Sequence, residues 1–228
     1  MKYHISFDID FKRNPYKGRF IALEGIDGSG KTTQALKVVE LLNKNGYKAI
    51  YTKEPTGGII GKLLREQILS GKVKVPPVSI QYLMSADRAM HQEEITEELK
   101  KGTIVVTDRY FWSAVCYGIA DLPQAVNYYL TALSVLSPYT RFLSPDVTFF
   151  LDLPIKSSLK RIGKSLKHRE IYDNEEKLKK IKKAYDLLKE KFVKEFAIIN
   201  ADREVDEVTK DLFKKIAKMA NAKKAHKA

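Results

Sequence analysis

The residues best suited to chemistry lie in a glycine-rich stretch between an apolar run and an amphipathic one. Residues 20–33 read FIALEGIDGSGKTT and contain the pattern G-x-x-x-x-G-K-[ST]. Glycines let the backbone curl until successive N–H groups point at phosphate oxygens, and the following helix adds its positive end. The sequence therefore predicts a cradle for nucleotide phosphates, made of Gly25, Ile26, Asp27, Gly28, Ser29, Gly30, Lys31, Thr32 and Thr33.

We expect three side chains of this cradle to have different roles. Lys31 would reach the β and γ phosphates, and the Thr32 hydroxyl would be a ligand of the bridging Mg²⁺. Thr33 is read as a first-turn residue, with ligation as the alternative. A glycine turn that binds nothing is the competing interpretation, but strand, turn, Lys-Thr pair and helix together favour the phosphate site.

Asp108 and Arg109 follow the apolar run 103–107, whose composition suits a strand buried on both faces. Asp108 could reach the Mg²⁺ directly or through water. It could instead cap the helix expected near Trp112, because Asp is a preferred N-cap residue. Arg109 would be costly to bury without an anion, which could be a substrate phosphate or an internal carboxylate.

Arginine is scarce in this strongly basic chain, so its positions are informative. The net charge is +13, and the sequence holds 41 Lys and Arg residues, mostly Lys. Arg88, in the run Ser85-Ala86-Asp87-Arg88 of a long helix, either binds an anionic substrate or pairs at the surface with Asp87 or Glu94. The basic segment 161–170, which contains Arg161 and Arg169, is interpreted as a lid over the phosphates rather than a solvated loop.

Composition bounds the class of protein. With 228 residues, 44% of them hydrophobic and 30% charged, the chain suits one soluble globular domain. No apolar run approaches the roughly 20 residues that span a bilayer, so we expect no membrane segment. A single cysteine, Cys116, excludes an internal disulfide and a cysteine metal cage, which favours the cytoplasm. We expect Cys116 to be a small buried hydrophobe. The four histidines lack the spacing of a metal site or catalytic triad and are expected to be surface or satisfied residues.

Periodicity predicts five strands that alternate with helices. The strands are expected near residues 20–24, 47–52, 103–107, 147–151 and 197–200, and the last helix over 205–219. Such alternation is typical of an α/β fold: a doubly wound, five-stranded parallel sheet with helices on both faces and a small lid. Residues 1–18 form an N-terminal extension, either an extra strand or an ordered arm, and residues 220–228 a frayed basic tail.

In combination, these motifs resemble the thymidylate kinase family of P-loop nucleoside monophosphate kinases. The resemblance rests on residues 20–34, the Glu54-Pro55 turn with its two glycines, the Ser-Ala-Asp-Arg helix, Asp108-Arg109-Tyr110, and the lid around Arg169 and Tyr172. It spans about residues 19–205. It implies a nucleotide kinase domain over 19–219, with its lid at about 161–174 and a homodimeric assembly.

The family's activity implies transfer of the ATP γ-phosphoryl group to dTMP, with Mg²⁺. By motif position, Asp27 would hold the acceptor's sugar hydroxyl, while Arg88 and Arg109 would grip its phosphate. Some members carry an arginine where this chain has Gly28, so the resemblance assigns the catalytic charge to Arg169 first and Arg161 second. The resemblance also places further residues at the acceptor site: Glu54, Met84, Tyr117 and Tyr172.

Two departures from the family pattern leave base preference open. Met84 stands where the family usually has an aromatic residue under the base, and Gly118 where a polar side chain often reads its edge. A kinase of the same fold with another or a broader acceptor range is therefore the nearest alternative. A nucleic-acid-binding ATPase, suggested by the basic charge, ranks lower because basic and aromatic residues are not interleaved. A non-catalytic relative is the third alternative.

Overall fold

Five strands form one parallel sheet in this computed structural model, which describes residues 9–121, 136–163, 171–172 and 174–225. The strand order is β2-β3-β1-β4-β5, as in doubly wound folds. This confirms the predicted fold class. The strands are β1 Arg19–Glu24, β2 Ala49–Lys53, β3 Ile104–Asp108, β4 Val147–Asp152 and β5 Phe196–Asn200.

Helices cover both faces of the sheet. They are α1 Lys31–Lys44, α2 Ile59–Leu63 with a π-helical continuation Leu64–Leu69, α3 Pro77–Lys100, α4 Phe111–Ala120, α5 Ile155–Gly163, α6 Glu175–Lys191 and α7 Val205–Ala225. Short 3₁₀ turns occupy Ser137–Arg141 and Val193–Glu195. Residues 122–135 lie outside the described residues.

The two sides of the sheet carry separate cores because successive strand residues point to opposite faces. In β1, Ile21 and Leu23 join the core that α1 and α7 cover. Phe20 and Ala22 join the other core, which contains residues of α3, α4 and α6. The apolar run at 103–107 that was predicted to be buried on both faces is likewise divided in β3, with Val105 in one core and Ile104 and Val106 in the other.

The C-terminal helix is longer than expected. The periodicity predicted an end at Met219, but α7 continues to Ala225. Ala220 is buried in the α1 side of the core, and the Arg19 Nε donates to the Met219 carbonyl at 3.1 Å. The expectation that the tail frays from residue 220 is therefore wrong, because tertiary contacts extend the helix. Residues 226–228 lie outside the described residues.

Residues 9–18 pack against the body of the protein. The Phe11 ring centroid lies 5.6 Å from that of Phe111 and 5.7 Å from that of Trp112. Asn14 Nδ2 donates to Asp146 at 2.8 Å, and the same carboxylate accepts from the Phe20 N–H at 2.7 Å. Residues 9–18 therefore form an ordered arm, which was one of the two expectations for the extension. Residues 1–8 lie outside the described residues.

Phe11→Ala is expected to lower the free energy of unfolding by about 2 kcal/mol, because the ring is part-buried and fully buried Phe→Ala changes cost about 3–5. Urea-induced unfolding measures the change. Lys12→Ala, whose side chain is exposed, is the matched control. Equal stability of the two variants would show that the arm contributes nothing to the core.

Candidate active site

A cavity of about 530 Å³ opens at the carboxyl ends of β1, β2 and β3. β2 and β3 lie on one side of β1 in the sheet, and β4 and β5 lie on the other. The direction in which strands are added therefore reverses beside β1. Ligands of open α/β sheets bind in the crevice at such a point. The cavity contains residues from every motif singled out in the described sequence, including the glycine-rich loop, Glu54, Arg88 and Asp108.

The loop after β1 has the backbone that a phosphate cradle needs. Gly25 and Gly28 have φ values of 148° and 75°, which side chains disfavour. A Cβ at Gly25 would lie 2.9 Å from the Leu151 carbonyl oxygen, and one at Gly28 would lie 2.8 Å from that of Ser158. Gly30 is the N-cap of α1, so the positive end of this 14-residue helix adjoins the cavity.

Lys31 is folded back onto this loop. Its Nζ donates to the Gly25 carbonyl at 3.0 Å and to the Ile26 carbonyl at 2.9 Å. Burial, followed by the nearby positive charge of Arg109, lowers the pKa of Lys31 to about 8. The side chain lines the cavity, where an anion would stabilise its charge.

Thr32 and Asp108 form a pair of oxygen groups suited to Mg²⁺. The Thr32 hydroxyl donates to Asp108 Oδ2, while Oδ1 is buried and has no partner within the described part of the chain. Mg²⁺ prefers oxygen ligands and often takes one or two carboxylates plus phosphates and water. The interpretation of Asp108 as a helix cap is wrong, because α4 has Tyr110 as its N-cap and no side-chain cap bond.

Asp27, Arg109 and Tyr117 form a second charged group in the cavity. Arg109 Nη2 donates to Asp27 Oδ1, and the Tyr117 hydroxyl donates to Oδ2 at 2.6 Å. Burial acts to raise the pKa of Asp27, but the charges of Arg109 and Lys31 outweigh it and hold the pKa below its ordinary value. The partner of Arg109 in the structure is thus an internal carboxylate.

Arg109 has a φ of 71°, a left-handed conformation that is costly for a residue with a side chain. Its N–H donates to the Leu23 carbonyl at 3.0 Å, and the Thr107 hydroxyl donates to its carbonyl at 2.8 Å. These bonds hold the strained turn. Strain of this kind is concentrated at functional sites, and here it brings the guanidinium next to the loop after β1.

Sequence reasoning missed Glu24, the last residue of β1. Its buried carboxylate accepts from the Tyr110 N–H at 2.9 Å, the Ser113 hydroxyl at 2.5 Å and the Tyr185 hydroxyl at 2.7 Å. Burial raises the pKa of Glu24 despite these donors. Because Ser113 also accepts from Arg109 Nη1 at 3.1 Å, Glu24 positions Arg109 through Ser113. An acidic residue that ends an apolar strand beside a phosphate loop was the signal that could have revealed it.

Arg88 is fully buried beside Glu54. Its Nε donates to Glu54 Oε2 at 2.6 Å, and Nη2 lies 2.5 Å from the same oxygen. The guanidinium carbon lies 5.3 Å and 4.7 Å from the ring centroids of Tyr110 and Tyr139. Its Nη1 has no hydrogen-bond partner within the described ranges. Burial opposes the charge of Arg88, but Glu54 raises its pKa above the ordinary value.

The expected surface pair of Arg88 with Asp87 or Glu94 is wrong, because this face of α3 is buried. Asp87 instead accepts from the Thr56 N–H at 2.7 Å and orders the turn after β2. His91 Nδ1 lies 3.0 Å from the other Glu54 oxygen. Its Nε2 lies 2.6 Å from the Thr52 hydroxyl, which makes His91 a satisfied buried residue.

Some of the remaining predicted residues lie within the described part of the chain and others lie outside it. Thr33, Met84, Arg161 and Tyr172 line the cavity. Arg161 Nη2 donates to the Ala201 carbonyl at 3.0 Å, so it is tethered at the cavity's rim. Arg169 and the other residues of the segment 164–170 lie outside the described residues.

Arg65 also lines the cavity and was missed. Its guanidinium donates to the Pro55 and Thr56 carbonyls. Because arginine is scarce in this sequence, the arginine at position 65 was itself the signal that could have identified this residue. Arg65 is thus the second arginine, after Arg88, that contacts the turn after β2.

Comparison with known proteins agrees with this geometry. The family model described as thymidylate kinase matches residues 23–212. This chain belongs to the thymidylate kinase family.

None of the described helices combines the length and the apolar character required to cross a bilayer.

The thymidylate kinase relatives span nearly the whole chain. The probable thymidylate kinase of Thermococcus onnurineus is 38% identical over 85% of this chain and 94% of its own length. That of Methanocaldococcus jannaschii is 36% identical over 85% and 93%. The solved structure of the thymidylate kinase from Candida albicans, an enzyme of broad substrate specificity, has a TM-score of 0.74 at 27% identity. The match covers 90% of this chain and 93% of the Candida albicans chain.

Glu54→Gln is expected to lower the free energy of unfolding by about 3 kcal/mol, because removing one partner of a buried pair leaves Arg88 with an uncompensated charge. Chemical denaturation at neutral pH measures the loss. Glu40→Gln, which removes an exposed carboxylate paired with Lys44, is the control and should change little. If both variants were equally stable, the Glu54 pair would not hold this side of the site together.

Proposed function

We propose that this protein transfers the γ-phosphoryl group of ATP to dTMP and releases ADP and dTDP. One observation carries the proposal: the lysine of the phosphate loop lines one cavity together with two arginines of other elements, the buried Arg88 and the part-buried Arg109. A donor triphosphate and an acceptor monophosphate fit such a site. The membership of the thymidylate kinase family supports the same reaction.

The chemistry needs alignment more than a base. A phosphate monoester has a second pKa of about 6, so the acceptor oxygen is mostly ionised at neutral pH. The barrier then comes from bringing two anions together in line, which positioned cations reduce. We infer that Lys31 binds the donor phosphates, while Arg88 and Arg109 hold the acceptor phosphate. Asp27 would hold the acceptor sugar.

Thr32 and Asp108 would hold Mg²⁺, because the unpartnered Oδ1 of Asp108 and the adjacent hydroxyl are the oxygen ligands that this ion prefers. When bound, the ion supplies positive charge to the phosphates during transfer. Asp108 lies at the end of the rigid strand β3, which fixes its carboxylate relative to the loop.

We also infer that the segment 161–174 acts as a lid, with Arg169 and Arg161 contributing charge to the transferring group. The position of Arg161 at the cavity rim supports this role. We propose a homodimer that works in the cytoplasm, consistent with the single, buried cysteine. The domain limits that go with this proposal are an N-terminal extension over 1–18, a kinase domain over 19–219 and a basic tail over 220–228.

A coupled assay across dTMP, dUMP, dGMP and thymidine tests the function. We expect turnover of dTMP with Mg-ATP and at least a 100-fold loss in Lys31→Met, since removal of one preorganised charge contact typically costs about 10²–10³ in kcat. Turnover of thymidine but not of dTMP would replace the proposal with a nucleoside kinase. No turnover of any acceptor would overturn it.

ATP affinity is expected to fall as pH rises above 8. Lys31 has a pKa of about 8 in the free protein, and the phosphates should raise it on binding. Below pH 8 the ammonium is already charged, whereas above it binding must take up a proton, so affinity falls toward tenfold per pH unit. Calorimetry in buffers of different ionisation enthalpy measures the proton uptake at pH 8.5. The Lys31→Met variant should show none of this uptake, and equal uptake in both proteins would assign it to another group.

A further inference from the structure

Ser158 is a fully buried residue of α5 that bonds to the phosphate loop, residues 25–30. Its hydroxyl donates to the Asp27 carbonyl at 2.6 Å. A helical serine often donates instead to the carbonyl four residues earlier in its own helix. A hydroxyl has only one hydrogen to donate, and here that hydrogen goes to a residue 131 positions away. The bond therefore joins two distant elements of the chain.

The helix and the loop approach each other so closely at this bond that no side chain fits between them. A Cβ at Gly28 would lie 2.8 Å from the Ser158 carbonyl oxygen and 3.2 Å from Cγ1 of Ile162. Close-packed interiors transmit displacements from one element to the next. A change in the Ser158 contact therefore shifts α5 relative to the loop.

The same side of α5 carries Arg161 to the loop. Ser158 and Arg161 are three residues apart, a spacing that places two side chains on one face of a helix. Arg161 Nη1 lies 4.0 Å from the position that a Cβ of Gly30 would occupy, and Nη2 donates to the Ala201 carbonyl at 3.0 Å. Gly30 is the N-cap of α1. The distance of the guanidinium from this helix end thus depends on how closely α5 approaches the loop.

Three successive carbonyls of the loop have two kinds of donor. Those of Gly25 and Ile26 accept from Lys31 Nζ, whereas that of Asp27 accepts from Ser158. A bound phosphate competes for the Lys31 ammonium, because a hydrogen bond between two charged groups is stronger than one to a neutral carbonyl. Ser158 does not line the cavity, so its bond is not open to this competition. Ser158 therefore holds the loop independently of the donor phosphates.

We propose that Ser158 is a positioning residue for phosphoryl transfer, an inference that rests on the proposed function. Its hydroxyl fixes the distance between the phosphate loop and the turn of α5 that carries Arg161. Transfer between two anions requires cations and reacting groups held in a fixed alignment. Ser158 supplies part of that alignment through Asp27 and Arg161, and it contacts neither substrate itself.

Steady-state kinetics of Ser158→Ala with Mg-ATP and dTMP test the inference, because this variant removes only the hydroxyl. We expect kcat to fall about 10-fold, since small displacements of aligned groups are costly in rate. KM for each substrate should stay within about threefold, because Lys31, Arg88 and Arg109 keep their own contacts. A serine that only stabilises the fold would lower Tm and leave kcat unchanged. Ser157→Ala, the same change at a part-exposed neighbour about 100° round the helix, is the matched control and should keep the wild-type kcat.

A double-mutant cycle with Arg161→Met tests whether Ser158 acts through this arginine. We expect Arg161→Met to lower kcat by at least about 10-fold, because a positioned charge is lost. In that background Ser158→Ala should lower kcat by less than about twofold, since two residues that act together are not additive. Losses that multiply independently would overturn the inference, and so would an unchanged kcat in either single variant.

If Ser158→Ala does not fold, a crystal structure of the wild-type protein with dTMP and a non-hydrolysable ATP analogue decides. The Ser158–Asp27 bond together with Arg161 within about 3.2 Å of a γ-phosphate oxygen supports the inference. A broken bond, or a guanidinium beyond hydrogen-bond reach of the phosphates, overturns it. A wild-type protein that phosphorylates no acceptor would instead overturn the proposed function.

Discussion

Buried positive charge is the constraint on which the rest of this site depends. Guanidinium groups that are to meet phosphates away from water must be held there before the phosphates arrive, and an unpaired buried charge is strongly destabilising. The protein resolves this with one carboxylate for each arginine, Asp27 for Arg109 and Glu54 for Arg88. The pairing of Arg88 is incomplete, since its Nη1 has no hydrogen-bond partner among the described residues.

The fold serves this arrangement through the ends of its parallel strands. Glu24, Glu54 and Asp108 lie at or directly after the carboxyl ends of β1, β2 and β3, which are neighbours in the sheet. Their carboxylates therefore gather at one edge, beside the positive end of α1. The left-handed turn at Arg109 and the glycine-rich loop place cations against them within a few residues of chain.

Charge and apolar surface are separated along the cavity. α3 contributes to both, with Arg88 beside Glu54, Met84 about one turn away and Ile80 about two turns away. The same helix thus lines the charged and the apolar parts of the cavity.

Local patterns in the chain were sufficient for the strands, the phosphate loop, the arrangement of helices and the family. These features depend on periodicity and on residues adjacent in sequence, such as the glycines and the Lys-Thr pair of residues 25–33. Tertiary structure decided which residues pair. Arg88 pairs with Glu54 rather than Asp87, and Asp108 accepts from Thr32 rather than capping a helix. Tertiary structure also supplied the contacts that extend α7 to Ala225. These pairings join residues between 34 and 76 positions apart, or rest on packing against α1 and β1. No local spacing encodes such distances, because the folding of the whole sheet determines which strand ends meet.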